Sequence, residues 1–165
     1  MKTKLLWLML AGITCTAQAA EDDFTQQILI QADNNLTSIK DNISTYLNNV
    51  EIRQGSLLIK ADKLEANASA GKGNEVFIAL GNPASYSQIL NDDEAPVTAT
   101  ATEIRYDLAT RTLTLSGNAS LTQSGSMVQG AVIRYNIEKQ ELTAESGDDN
   151  SRVTTIFTPE GKKNP

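Results

Sequence analysis

The chain has 165 residues, 20 acidic against 14 basic, no histidine and one cysteine. That length is one domain's worth of protein, and a net charge of −6 without a Lys/Arg cluster offers nothing to a polyphosphate backbone, so nucleic acid is a poor partner. The missing histidine removes Ser-His and Cys-His nucleophile pairs and His-ligated metals from consideration.

Residues 1–19 read as a secretory signal peptide: Met1-Lys2-Thr3-Lys4 is basic, Leu5 to Ile13 almost wholly apolar, and Ala17-Gln18-Ala19 a small-residue cleavage site. The apolar run is shorter than the ~20 residues a membrane span needs. Cleavage after Ala19 would discard Cys15, leaving a chain that relies on its core and its strand ladders rather than on a disulfide.

The domain is expected over residues 20–158, with 159–165 as a disordered tail. Glu21 to Gln26 is polar and reads as loose; Ile28-Leu29-Ile30-Gln31-Ala32 then starts the order as a strand. Leu36, Ile39, Ile43, Tyr46 and Leu47 fall near helical spacing, but Thr37, Ser38, Asp41, Asn42, Ser44 and Thr45 are poor helix formers. Two short strands around a turn at Lys40-Asp41-Asn42 are predicted instead.

Asn49 to Gln54 alternates apolar and polar with period 2, the mark of a half-buried strand. Leu57 to Ala66 follows as a strand, Asn67 to Asn74 as a loop, Glu75 to Leu80 as a strand, Gly81-Asn82-Pro83 as a turn and Ala84 to Ile89 as another strand. The acidic run Asn91 to Pro96 reads as a solvated hairpin tip, since a calcium loop needs ligands at fixed alternating positions; no metal or cofactor is expected. Further strands are predicted at Ile104 to Leu108, Arg111 to Leu115, Asn118 to Gln123, Ser126 to Tyr135, Gln140 to Ala144 and Arg152 to Phe157. A dozen or so strands of ~4–6 residues mean an all-β sandwich, barrel or solenoid.

Asn49-Val50-Glu51-Ile52-Arg53-Gln54 is echoed by Asn118-Ala119-Ser120-Leu121-Thr122-Gln123, and Ala32 with Ala101, Ala61 with Gly130 and Leu64 with Ile133 keep the same separation. A constant offset argues for one supersecondary unit used twice.

Alternation puts Ile28, Ile30, Val50, Ile52, Ile59, Ile78, Tyr86, Ile104, Tyr106, Leu108, Leu115, Leu121, Ile133 and Tyr135 on one face. These side chains would fill a closed sandwich core equally well, or line a groove for acyl chains between sheets that do not close. A carboxylate pair for polysaccharide chemistry is a third reading, weakened because the only tryptophan lies in the leader and the acidic residues sit in loops or at outward positions. In a meander that does not close, Ile28, Leu29, Ile30, Gln31 and Ala32 at one end, and Arg152, Val153, Thr154, Thr155, Ile156 and Phe157 at the other, are edges able to recruit another strand.

Ile28-x-Ile30-x-Ala32-Asp33, Asn49-Val50-x-Ile52-x-Gln54-Gly55, Ile59-Lys60-Ala61-Asp62-Lys63, Gly81-Asn82-Pro83-Ala84, Ile104 to Ala109 and Leu115-Ser116-Gly117-Asn118-Ala119, in this order behind a signal peptide, resemble the OstA-like family of periplasmic lipopolysaccharide-transport proteins. The resemblance implies an open, slightly twisted β-jelly roll whose apolar interior shields the acyl chains of lipid A and which bridges inner and outer membranes. It further implies head-to-tail pairing of copies, with LptC at the N-terminal edge and the LptD N-terminal domain at the C-terminal edge. Ile28, Ile30, Tyr86, Tyr106 and Leu108 would be among the lipid-facing positions. Asn48 stands where glycine is usual before the motif asparagine, and asparagine tolerates the left-handed conformation such a turn needs.

Overall fold

The structure is a computed structural model describing residues 23–90, 95–148 and 151–158. The signal peptide, the acidic positions 91–94 and the tail 159–165 lie outside the described residues.

A 3₁₀ turn, Asp23–Thr25, precedes ten strands: β1 Leu29–Gln31, β2 Asn34–Ser38, β3 Ile43–Gln54, β4 Leu57–Asn67, β5 Val76–Gln88, β6 Val97–Asp107, β7 Thr112–Gln123, β8 Ser126–Asn136, β9 Glu141–Glu145 and β10 Thr154–Ile156. All pairings are antiparallel, within one sheet in which β3 to β8 succeed one another as a meander. The two ends match in plan. Short β1 and β2 lie along the two halves of β3, and short β10 and β9 along the two halves of β8.

The six central strands run for 11 to 13 residues; β4 and β8 match the predicted Leu57 to Ala66 and Ser126 to Tyr135 closely, whereas β3, β5, β6 and β7 are about twice the length of the predicted pieces. Each ladder between them is interrupted midway: between Leu47 and Val50, Lys60 and Lys63, Leu80 and Ala84, Thr100 and Glu103, and Ser116 and Ala119. Gly81-Asn82-Pro83, expected to reverse the chain, instead bends β5, which continues to Gln88. These irregularities form a crease across the sheet, because extra residues in a ladder bend and twist the bulged strand. Folded along the crease, the one sheet places its two halves face to face. Tyr106, beyond the crease, turns its hydroxyl toward Gln54 Oε1 of the other half at 3.5 Å.

The crease is written into residues that accept positive φ. Asn48, Asn49 and Asn118 hold φ of 64°, 48° and 49°, and asparagine is among the few residues that visit this region at modest cost. Gly117, at φ 80°, has no alternative, since a Cβ there would stand 2.8 Å from Thr102 Oγ1.

The internal repeat is real at the level of backbone. Positive φ recurs in equivalent pairs: Asn42 and Arg111, Asn48 and Gly117, Asn49 and Asn118, Gly55 and Ser124. Pairings recur too. Val50 faces Ala61 as Ala119 faces Gly130, Leu29 faces Arg53 as Thr98 faces Thr122, and Leu58 faces Ser87 as Met127 faces Ile156. In this correspondence β6 is the uninterrupted counterpart of β1 plus β2, and the second half of β5 is the counterpart of β10.

Candidate acyl-chain groove and strand edges

The inner faces of the two halves merge into one apolar cluster. Val50, Ile52, Leu57, Ile59, Tyr86, Val97 and Leu121 come from one half; Leu64, Phe77, Ile104, Tyr106, Leu113, Leu115, Ile133 and Tyr135 come from the other. Each fully buried Leu, Ile or Val contributes about 1.5–3 kcal/mol relative to exposure. Alanines sit beside the crease, at Ala79, Ala84, Ala101 and Ala119.

Of the positions assigned to the inner face by alternation, Val50, Ile52, Ile59, Tyr86, Ile104, Tyr106, Leu115, Leu121, Ile133 and Tyr135 are fully buried there. Ile28, Ile30 and Leu108 pack against the same cluster while remaining partly exposed. Ile78 is a correction: it pairs with exposed Arg105 on the outer face, while its neighbours Phe77 and Ala79 point in. The run Val76-Phe77-Ile78-Ala79-Leu80 is apolar throughout, so alternation carries no phase there.

The mouth, opposite the crease, is lined by strand ends and holds polar groups that alternation placed inside without marking them. Gln54 and Gln88 are buried, at 3% and 2% exposure. Tyr86 donates its hydroxyl to Gln88 Oε1 at 2.7 Å. Gln88 Nε2 donates to Asp23 Oδ2 at 2.8 Å, and Gln54 Nε2 donates to the carbonyls of Phe24 and Gln26 at 3.3 and 3.2 Å. The hydroxyl of Tyr135 is buried without a partner among the described residues. Burial pushes all three phenols up: Tyr106 to about 12, Tyr86 and Tyr135 likewise upward, with nearby phenols and Asp23 adding to the effect on Tyr86.

Sequence reasoning treated residues 21–26 as loose and missed this lining. Its trace was phase: Gln54 continues the inward series of Val50 and Ile52, and Gln88 that of Ala84 and Tyr86.

At the ends of the sheet, β1 and β10 each pair on one side only among the described residues. Leu29, Leu36, Ile39 and Leu47 are exposed at the N-terminal end, Val153, Ile156 and Phe157 at the C-terminal end. Both edges are shorter than predicted: Ile28 and Ala32 flank β1, and Arg152 and Val153 precede β10 while Phe157 follows it. Among the described residues no helix is long and apolar enough to cross a membrane, and no group of three His, Cys, Asp or Glu stands close enough to hold a metal.

A family model described as LptA/(LptD N-terminal domain) LPS transport protein matches residues 29–141. The chain belongs to this family. Lipopolysaccharide export system protein LptA of Haemophilus influenzae is 40% identical over 146 residues, covering 87% of this chain and 84% of the relative. The protein of the same name from Escherichia coli K12 is 34% identical over 151 residues, covering 91% and 80%. Among solved structures, LptH of Pseudomonas aeruginosa, described as the LptA-homologous periplasmic component of the lipopolysaccharide transport device, superposes with a TM-score of 0.78 at 24% identity, covering 83% of this chain and 99% of its own. The matched residues span the creased sheet from β1 to β8 and reach only the first residue of β9, with β10 beyond them.

Proposed function

We propose that this chain is a non-enzymatic periplasmic carrier and bridge for lipopolysaccharide, which shields lipid A acyl chains between the two halves of its folded sheet. The observation that carries the reading is a continuous apolar interior running the length of an unclosed sheet, in a member of a lipopolysaccharide-transport family. Burial of each methylene contributes about 0.8 kcal/mol, which suits acyl chains, and sugars and phosphates stay at the wet mouth. A photo-crosslinking residue at inward Tyr106, with outward Arg105 as control, tests it. Adducts with lipopolysaccharide at 106 and none at 105 are expected. No adduct at either, with the fold intact, would instead favour a structural module with a closed core.

The bridging half of the reading uses the two ends: LptC at β1, the LptD N-terminal domain at β10, and further copies of the chain between them. Support comes from the repeat. Within the molecule, the second half of β5 pairs with the first half of β6, Ser87 facing Thr98 and Ser85 facing Thr100. Their counterparts are β10 and β1, so this internal joint is a template for one between copies. It sets Ile156 opposite Leu29 of the next copy and Thr154 opposite Gln31. Cysteine pairs at these positions, mixed one per chain, should form intermolecular disulfides, whereas pairs offset by two residues should form fewer. Equal yields in every register would reject the template.

A further inference from the structure

The Asp23–Gln26 segment lies in the mouth of the folded sheet as an occupant would. The Phe24 ring packs against the apolar cluster, with the Arg111 guanidinium 4.3 Å above it. Asp23 Oδ1 accepts from the backbone N–H of Ser56 at 2.8 Å; Asp23 Oδ2 accepts from Ser56 Oγ at 2.5 Å and from Gln88 Nε2 at 2.8 Å. The carbonyls of Phe24 and Gln26 take the Gln54 amide. Gly55 leaves the room for this: an added Cβ would collide with the Asp23 carboxylate.

Chemically, the segment presents an anion, two amide carbonyls and an apolar ring to three neutral side-chain donors and one backbone N–H. Take it away, and Ser56 Oγ keeps the Ile89 carbonyl at 3.0 Å, but the Gln54 and Gln88 amides and the Ser56 N–H lose these acceptors at the rim of the apolar cluster, where an unpaired donor is costly. A guest made only of methylenes would leave them unpaired. An amphiphile whose chains are joined to its headgroup through ester or amide carbonyls, beside an anionic group, would replace the segment's acceptors in kind. The Tyr135 hydroxyl, buried and without a partner among the described residues, is one further donor that the segment does not reach.

We propose that Ser56, Gln88 and Gln54 form a subsite for the acceptor oxygens at the junction of acyl chain and headgroup, and that the chain's own Asp23–Gln26 segment occupies this subsite in competition with the ligand. The proposal rests on the carrier reading above and adds to it a polar determinant and a built-in competitor.

The test titrates fluorescent lipopolysaccharide into the purified protein and follows a spin label on Gln26→Cys in parallel. Asp23→Ala, with Asp23→Asn as the variant that keeps volume, removes the anion that holds the segment. The label should become mobile without ligand and lipopolysaccharide should bind about tenfold more tightly, the scale of one charged hydrogen bond. Gln88→Glu keeps the acceptor for Tyr86 but turns the donor for Asp23 into a repelling carboxylate; the label should again be freed while binding weakens. Lipid A with its phosphates removed serves as the second probe. A gain confined to the phosphorylated lipid places the anion at Ser56 and Gln88, a gain kept by both places a carbonyl there, and either supports the subsite.

Tight binding by wild type, with Asp23→Ala and Asp23→Asn both unchanged or weaker, would overturn the competition while leaving the carrier reading intact. Equal tightening by Asp23→Ala and Gln88→Glu would overturn the subsite, leaving a mere lid. No binding by wild type or any variant, all folded by circular dichroism, would sink the carrier reading and this inference together.

Discussion

Three buried tyrosines offer one chemical change with different expected outcomes. Tyr86 donates a 2.7 Å bond to Gln88, whereas the Tyr135 hydroxyl has no partner among the described residues and its residue is 1% exposed. Tyr86→Phe deletes a buried bond and orphans Gln88 Oε1, a cost of about 1–3 kcal/mol. Tyr135→Phe removes a desolvated hydroxyl that receives nothing in return, so it should stabilise by about 1 kcal/mol, the low end of the penalty for an unpaired buried polar group. Tyr106→Phe, losing only a 3.5 Å contact, should fall between them. Urea unfolding followed by far-ultraviolet circular dichroism reads the differences. One kcal/mol moves the midpoint by roughly 0.5 M at slopes of about 2 kcal/mol per M. If Tyr135→Phe destabilises as much as Tyr86→Phe, the hydroxyl has a partner in solution and the reasoning fails.

Gly117→Ala should cost about 1–3 kcal/mol, because a Cβ there is both strained at positive φ and in collision with Thr102; thermal unfolding checks it, and an unchanged midpoint would show that the crease can shift to make room. Ile156→Asp, at a half-exposed edge position, should leave the unfolding midpoint within ~0.5 kcal/mol of wild type while lowering self-association in sedimentation velocity; unaltered association would acquit this edge. Alkaline pH should destabilise the fold. Free tyrosine ionises near pH ~10 and the raised phenols hold their protons longer when folded, so their contribution is intact below that pH and is lost as pH rises toward about 12 for Tyr106. Urea midpoints measured from pH 8 upward should fall through this window, and by less in Tyr106→Phe; a flat profile would argue against phenol burial in solution.

The inner face was legible because strands that bury one side alternate: Val50 with Ile52 and Ile104 with Tyr106 announce their direction without help from the rest of the chain. Legibility ended where the pattern lost phase or where a local signal admitted two geometries. Gly81-Asn82-Pro83 marks a departure from regular backbone, but composition says nothing of its angle, and here the departure bends a strand instead of ending it. The halving of β3, β5, β6 and β7 followed from the same error, since their crease positions looked like boundaries, whereas β4 and β8 were read through the crease. The repeat, in contrast, was visible in a handful of matched residues because those matches include the positions whose backbone angles recur: Asn49 with Asn118 among them. Asp23 and Phe24 could not be placed, because their partners, Ser56, Gln88 and Arg111, lie far along the chain and only the folded sheet brings them near.

The crease also decides how the two halves of the sheet can move. A sandwich of two separate sheets admits a guest by parting surfaces, and its width is limited by how far loops stretch. Here every long strand is a rib crossing the spine of a single leaf, and the irregular residues along that spine already lack regular ladder pairing. A change of angle between the leaves is therefore absorbed by a few backbone dihedrals at Asn48, Asn49, Gly117 and Asn118 and their neighbours, while the hydrogen bonds on either side stay made. Girth becomes a soft variable and length a stiff one, a combination that under the proposed carrier role would suit ligands whose bulk varies from molecule to molecule.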